Sequence, residues 1–391
     1  MPSPRIVYLL NISNPDKLSS DSGWVFADLL APALMDQGAE VVIAAPARIA
    51  DERAFFERMP VPTTKYRARF DPGMDRLVAL IRRTRPDVVV ANQVEAAPAI
   101  RAALLEARSP TLLASYCHYL PFSFSVDGEL RTDPSMNDLG LGQPVWLAFA
   151  AGLAASDRVL VHSATAASSV TAAASRTGVD VTQKLRVVPA PRDERLVRDA
   201  EELTAPQPGE PITGVYNHRL YAHYGTGRFV RLADRLTCES EIEVRLRVMD
   251  LFGARSAERI ALDDSPERLR AQLAAMPGVD IVSDCGDRAQ YRHLLAGGQF
   301  AIAPFRPGCP WSMSVIDCQG MGLPVIAPHS GWLAEHIDDE LLFTTSTQAL
   351  NLVERLAGDH AFYLEHAKRA IASTADFHPT LVAARYLEAV A

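Results

Sequence analysis

Residues 75–119 read DRLVALIRRTRPDVVVANQVEAAPAIRAALLEARSPTLLASYCHY, and this stretch decides the fold class. In DRLVALIRRTRP the apolar residues recur at helical spacing between charged neighbours, the pattern of an amphipathic helix. Pro86 closes that helix and opens PDVVVAN, an unbroken apolar, β-branched run that reads as a strand covered on both faces. APAIRAALLEA then returns to helical spacing, and PTLLASYCHY to a strand. Strands that alternate with helices pair in parallel, so the chain is read as α/β.

The same alternation extends outward in both directions. Before it, RIVYLL is a buried strand, NPDKLSSDSG a polar loop, the segment from about Trp24 to Gln37 a helix stopped by Gly38, and EVVIAAP the next strand. After it, residues 120–144, LPFSFSVDGELRTDPSMNDLGLGQP, lapse into Pro, Gly and Asp, and so long a loop in a compact domain is expected to be functional or mobile. SDRVLVHS and LRVVPAP close the first half, with Ser163 capping the helix between them. Residues 191–211, PRDERLVRDAEELTAPQPGEP, are charged and proline-rich and are read as the domain boundary, a linker that permits closure. A second set follows: ITGVYNHRL, EVRLRVMDLFG, VDIVSDCG, QFAIAPF, LPVIAP and LLFTT as strands, helices between them, and two more helices in the last forty residues. Two doubly wound, Rossmann-like halves predict a central cleft, with ligands outside the strand carboxyl ends.

Composition agrees with a folded two-domain chain: 391 residues, 48% hydrophobic, 22% charged and no repetitive tract. Five widely spaced cysteines with no CxxC pair exclude a disulfide framework and a zinc site, and point to a cytoplasmic setting. The first apolar run is too short for a signal peptide, and no segment approaches a membrane span. The first half is neutral, so the second carries the whole net charge of −8. Within the first half, KYRARF (65–70) and the run Arg82, Arg83, Arg85 are locally basic; they read as solvated faces or as a patch for a polyanion.

The chemistry concentrates in residues 301–337, AIAPFRPGCPWSMSVIDCQGMGLPVIAPHSGWLAEHI. A helix opening near Ser312–Ser314 offers unpaired backbone N–H groups and a positive dipole end to a phosphate, and a carboxylate one turn on, Asp317, can accept both hydroxyls of a ribose. This segment resembles the donor-binding signature of the family-4 type of retaining GT-B glycosyltransferases, which ends in a Gly-x-Pro-Val-Ile-Ala strand, here Gly322 to Ala327. The family's Glu-x7-Glu pair is Cys309 and Asp317 in this chain, and the missing first glutamate implies an unusual sugar.

The resemblance covers most of the chain. GVYNHRLYAHYG (214–225) is similar to the family's Gly-Arg-x-x-x-x-Lys-Gly segment, with Arg219 in the arginine place, where forked donors clamp a diphosphate and steady the leaving nucleotide. Tyr224 stands in the lysine place, which leaves His218, His223 or Arg306 to compensate. Ser22 and Gly23 match the first loop, where backbone approaches the donor phosphate, and His118 matches the histidine that faces the sugar. Donor contacts are therefore assigned to Ser22, Gly23, Arg219, Ser312, Met313, Ser314 and Asp317, and catalytic roles to His118 and Arg219. The acceptor is assigned to Trp24, Tyr119 and Lys65. The implied domains are residues 1–195 on the acceptor side, 196–372 for the nucleotide sugar, and a helix over 373–391 that returns to the N-terminal domain.

The resemblance implies a hexosyl- or pentosyltransferase acting with retention on a nucleotide-diphosphate sugar as co-substrate, with no cofactor. No Asp-x-Asp triplet occurs, and the histidines fall into no metal-binding spacing, so no metal is expected. Two acceptors stay open: a small molecule, or a modified pyrimidine base on DNA as in phage-type DNA glycosyltransferases. A sugar-nucleotide epimerase and a non-catalytic nucleotide-sugar-binding protein share the outline. A dehydrogenase is disfavoured, because no GxGxxG follows the first strand.

Overall fold

The apolar runs pair side by side, in parallel, and the helices between them cover the sheet faces. The computed structural model describes residues 3–10, 12, 18, 21–49, 51–60, 69–124, 128–132, 140–250, 260–261, 263–284 and 286–391. They belong to two compact units, residues 1–191 with 377–391, and residues 192–376.

In the first unit the strands are β1 (Arg5–Leu9), β2 (Glu40–Ala45), β3 (Phe55–Arg58), β4 (Val88–Ala91), β5 (Leu112–Tyr116), β6 (Phe122–Phe124), β7 (Leu130–Thr132), β8 (Arg158–Val161) and β9 (Leu185–Val187). Seven of them form a sheet in the order β3-β2-β1-β4-β5-β8-β9, parallel throughout. The inner strand β1 sets Ile6 beside Val41 on one side and Val88 on the other, and all four residues of the central strand β4 are buried. That two-sided burial is why these strands carry no polar alternation. The covering helices are α1 (Ser22–Asp36), α2 (Met74–Thr84), α3 (Ala97–Glu106), α4 (Gly142–Ala155) and α5 (Ala164–Ser175). In α2, Leu77, Val78, Leu80 and Ile81 are the buried stripe, packed in one core with Ile100, Ala103 and Leu104 of α3. Gly38 ends α1 at φ 90°, a conformation that costs glycine nothing, and Ser163 caps α5 through the Ala166 amide. The last helix, Pro379–Val390, belongs to this unit, where the Thr380 carbonyl accepts from Gln37 at 2.6 Å.

The second unit repeats the plan with β10 (Ile212–Tyr216), β11 (Val244–Met249), β12 (Val279–Val282), β13 (Phe300–Ile302), β14 (Val325–Pro328) and β15 (Leu342–Phe343), in the parallel order β12-β11-β10-β13-β14-β15. Its helices include α6 (Thr226–Glu239), α7 (Ser265–Ala274), α8 (Arg288–Ala296) and α9 (Met313–Gly320). No described helix is long and apolar enough to cross a membrane.

Two expectations are corrected here. The stretch 120–144 is not wholly loop: β6 and β7 pair antiparallel, and Phe122 and Leu130 are buried against Phe149 of α4. Three-residue strands are too short to show periodicity, so the sequence hid them. The supposed linker is packed rather than free. Asp193 is 3% exposed and Leu196 2%, and the Arg198 amide donates to the Gly320 carbonyl at 2.9 Å. Asp193 pairs with Arg195 and Arg288 inside the second unit, while Glu201 and Glu210 stay exposed as the charge pattern suggests.

Candidate functional site

In the second unit the strand carboxyl ends gather the residues that the sequence singled out. α9 starts after the loop that leaves β13, capped by Ser312, whose hydroxyl accepts from the Val315 amide at 3.3 Å. The Met313 and Ser314 amides have no hydrogen-bond partner among the described residues. Two open amides on the dipole axis of a helix form a ready anion cradle. Cys309, just upstream, is a buried thiol that donates to the Trp311 carbonyl at 3.4 Å; burial pushes it up to about 11, so it stays a neutral thiol at physiological pH.

Asp317 lies one turn into α9 at 5% exposure. The Tyr291 hydroxyl donates to its Oδ2 at 3.0 Å, and Arg288 approaches the same oxygen at 3.9 Å. Burial pushes the carboxyl up to about 6, against the pull of Arg288. Arg288 is committed elsewhere, to Asp193 at 2.7 Å. Burial works against the Asp193 charge too, but bonds from Arg195 and Arg288 outweigh it and hold that carboxyl below its ordinary range. Asn217, at the end of β10, donates to the Tyr291 hydroxyl at 2.8 Å and to the Ser314 carbonyl at 3.1 Å. Two acceptors in this network, Asp317 Oδ1 and Asn217 Oδ1, are buried without a partner. An unpaired buried acceptor is costly, and a hydroxyl-bearing ligand would relieve the cost.

Arg219 follows the same strand end and is half-buried. Tyr224, in the place of the family's lysine, has the Arg306 guanidinium 5.8 Å from its ring centroid, so a cation does reach that position. His218 is buried and held to about 3, hence neutral, while the His223 ring lies 4.6 Å from the Tyr224 ring and Arg306 brings a permanent cation to the same tyrosine. Gly225 at φ 75° is required by space as well as conformation: a Cβ there would sit 2.4 Å from the Phe305 carbonyl oxygen.

The first unit supplies a different set. Ser22 opens α1, but Asp21 is its cap, accepting from the Gly23 amide at 3.0 Å and the Trp24 amide at 3.1 Å. The Gly23 and Trp24 amides at this helix start are therefore already engaged by a carboxylate, unlike those of α9. Trp24, assigned to the acceptor side, is 7% exposed. Tyr119 is half-buried, with the Arg69 guanidinium 5.2 Å from its ring centroid; Arg69 is ion-paired to buried Glu95. Lys65 lies outside the described residues.

His118 is half-buried just beyond the end of β5, with Nε2 2.7 Å from the Tyr8 hydroxyl and Nδ1 3.1 Å from Nε2 of His162. Burial holds both imidazoles well below their ordinary range, His118 at about 3, so both are neutral. Most of the groups that orient these residues were not legible in advance. Asp21, Asn217, Arg288, Tyr291 and His162 are single polar residues without a motif. Only Asp21, ahead of Ser-Gly at a helix start, carried a capping signal that was legible.

Comparisons with known proteins agree with this architecture. Residues 24–195 match the family described as Glycosyltransferase Family 4. No curated protein matches the sequence. Among solved structures, sucrose-phosphate synthase from Thermosynechococcus elongatus is similar with a TM-score of 0.72 at 15% identity, over 98% of each chain. Anabaena HepE in complex with UDP-glucose gives 0.68 at 14% identity, over 98% of each chain. A UDP-forming trehalose-phosphate synthase from Burkholderia xenovorans gives 0.69 at 12% identity, covering 99% of this chain and 98% of its own.

Proposed function

We propose that the chain is a divergent glycosyltransferase of the GT-B fold, and that its second unit holds a nucleotide-diphosphate sugar through Arg219, the Met313 and Ser314 amides and Asp317. The observation that carries the reading is the start of α9, where a neutral serine cap leaves two amides open beside a buried carboxylate whose Oδ1 has no donor. A diphosphate fits the amides, and ribose hydroxyls fit Asp317 Oδ1 and Asn217 Oδ1. The chemistry assigned to this chain is stabilisation of the departing diphosphate by Arg219, Arg306 and the helix dipole, transfer with retention at the anomeric carbon, and no requirement for a metal, since the cationic work falls to the two arginines. UDP is the first nucleotide to test, because HepE was solved with UDP-glucose.

For the acceptor, a small molecule is favoured over DNA. The basic run of the first half is largely spent internally: Arg83 pairs with Glu57 at 2.7 Å and Arg82 donates to the Glu106 carbonyl. A duplex binder needs a broad face of free cations. The deciding experiment is calorimetry with UDP, GDP, ADP, TDP and CMP, with magnesium and with a chelator. One preferred diphosphate, bound equally in both buffers, is the expected result. Binding of none of the five would overturn the donor site, and binding only with magnesium would overturn metal independence.

A further inference from the structure

Asp193 and Asp317 share one arginine, and they share it unevenly. Arg288 opens α8, where the positive end of the helix dipole disfavours a cation, so the helix that carries it does not account for its place. Its Nη2 lies 2.7 Å from Asp193 Oδ2, with Nε 3.2 Å from the same oxygen, and 3.9 Å from Asp317 Oδ2. The guanidinium carbon stands 4.7 Å from the centroid of the Tyr291 ring, which gives the cation a face to rest on between the two carboxylates. Asp193 is itself anchored. Its Oδ1 accepts from the Arg195 amide at 3.0 Å and from Nε at 2.9 Å, and its segment is tied to α9 by the bond from the Arg198 amide to the Gly320 carbonyl. A Cβ at Gly320 would stand 2.6 Å from the Leu196 carbonyl oxygen, so the close approach of that segment depends on the glycine. At Asp317 the protein supplies one hydrogen bond, from the Tyr291 hydroxyl to Oδ2, and Oδ1 is buried without a partner.

We infer that Asp193 is a positioning residue that holds Arg288 off Asp317, so that Asp317 Oδ1 is kept for a ribose hydroxyl instead of closing into a forked pair with the guanidinium. The proposal rests on the reading of Asp317 as a ribose contact. A guanidinium and a carboxylate left to themselves at this range pair through two parallel bonds, one to each oxygen, and such a pair would fill Oδ1. Charge favours the division that is seen. Asp193 takes bonds from two arginines and is held below its ordinary range, whereas burial pushes Asp317 up to about 6, with Arg288 pulling against it and Asp193 adding to it. Tyr291 and Arg195 also face Asp317 and lower it, and the neighbouring Cys318 is a thiol that burial keeps neutral. The Arg288 charge acts on Asp284 as well, a carboxyl that burial raises, and Asp287 caps the helix that Arg288 opens. At neutral pH Asp317 is then an anion with one unspent oxygen, the state that accepts from a hydroxyl.

The test is carbon NMR of the aspartate carboxyl groups in the whole, ligand-free protein, with the Asp317 signal assigned by its loss in Asp317→Asn. Wild type is expected to titrate at about 6; titration at the ordinary 3.8 would mean that Arg288 already closes on Asp317, and overturns the proposal whether or not any variant of the pair folds. In Asp193→Asn the released guanidinium closes on Asp317, and the titration should move down by about one pH unit or more, whereas in Arg288→Gln it should move up by a similar amount. A loss of structure alone would not send the two in opposite directions. With Arg288 already replaced, Asp193→Asn should move the Asp317 titration by a small fraction of its effect in wild type. An equal move in both backgrounds means that Asp193 acts by its own charge, which overturns the role through Arg288, as does no move in Asp193→Asn. UDP is the probe for the consequence: calorimetry at neutral pH should show it bound roughly three- to tenfold more weakly by Asp193→Asn, the worth of one hydrogen bond, and unchanged affinity overturns the role toward the ribose. If wild type binds neither UDP nor another of the five nucleotides, the donor reading fails, while the titrations still decide whether Asp193 holds Arg288 off Asp317.

Discussion

The helix starts of α1 and α9 look alike in sequence, each a serine-containing turn ahead of an apolar helix, yet they have opposite capacities. At α1 the cap is Asp21, whose carboxylate takes the Gly23 and Trp24 amides and adds a negative charge. At α9 the cap is Ser312, which takes one amide, adds no charge and leaves the next two open. An anion is therefore repelled at the first and drawn to the second, and what separates them is the charge of one capping side chain rather than the helix dipole they share.

The largest effect expected concerns Asp317, the carboxylate inside α9. Its folded value of about 6 stands above its ordinary 3.8, so the folded chain holds the proton longer than the unfolded one. Stability from this residue is then lost as pH rises from about 4 through about 6, and is flat above. Asp317→Asn lacks that slope and should gain up to about 3 kcal/mol relative to wild type between pH 4 and pH 8, at about 1.4 kcal/mol per unit. Melts at the two values check it, and parallel shifts would mean that Asp317 is not held in its neutral form.

Next comes Arg219→Ala, which should weaken nucleotide-diphosphate binding by about 1.5–3 kcal/mol, the worth of hydrogen bonds to a charged group, with the melting temperature little changed. Calorimetry showing wild-type affinity would remove Arg219 from the site. Asp21→Ala should cost about 1 kcal/mol of stability through the lost cap and leave nucleotide affinity as it was. A large fall in affinity would show that α1 does serve the donor. The smallest effect sharpens the comparison most: Asp21→Ser gives α1 the cap of α9, should change stability by only a few tenths of a kcal/mol, and should let sulfate protect the variant in a thermal shift where wild type shows no gain attributable to that end. Equal sulfate responses in the two proteins would break the account of why the helix starts differ.

How much was legible can be followed residue by residue. PDVVVAN and EVVIAAP announced parallel strands because a strand buried on both faces must be apolar throughout, and Gly38 announced a helix stop because its left-handed conformation suits glycine. Ser312 and Ser163 were readable as caps for the same local reason. Trp24 was not readable: its place in a helix is local, but the face it turns to the core depends on what packs there. Nor was Asp193, whose charged neighbourhood looked like a linker until Arg288, ninety-five positions away, closed on it.

The sequence by itself determined the alternation of strand and helix, the two-unit plan, and the positions of Arg219, Ser312 and Asp317 at strand and helix ends, because these follow from interactions within a few residues. Only the tertiary structure decided that Asp317 is buried against Tyr291 and Arg288, that Arg288 closes on Asp193, and that His162 meets His118. Contacts between side chains 26 to 95 positions apart depend on strand order and register, and those are set by packing the whole core rather than by any local run of residues.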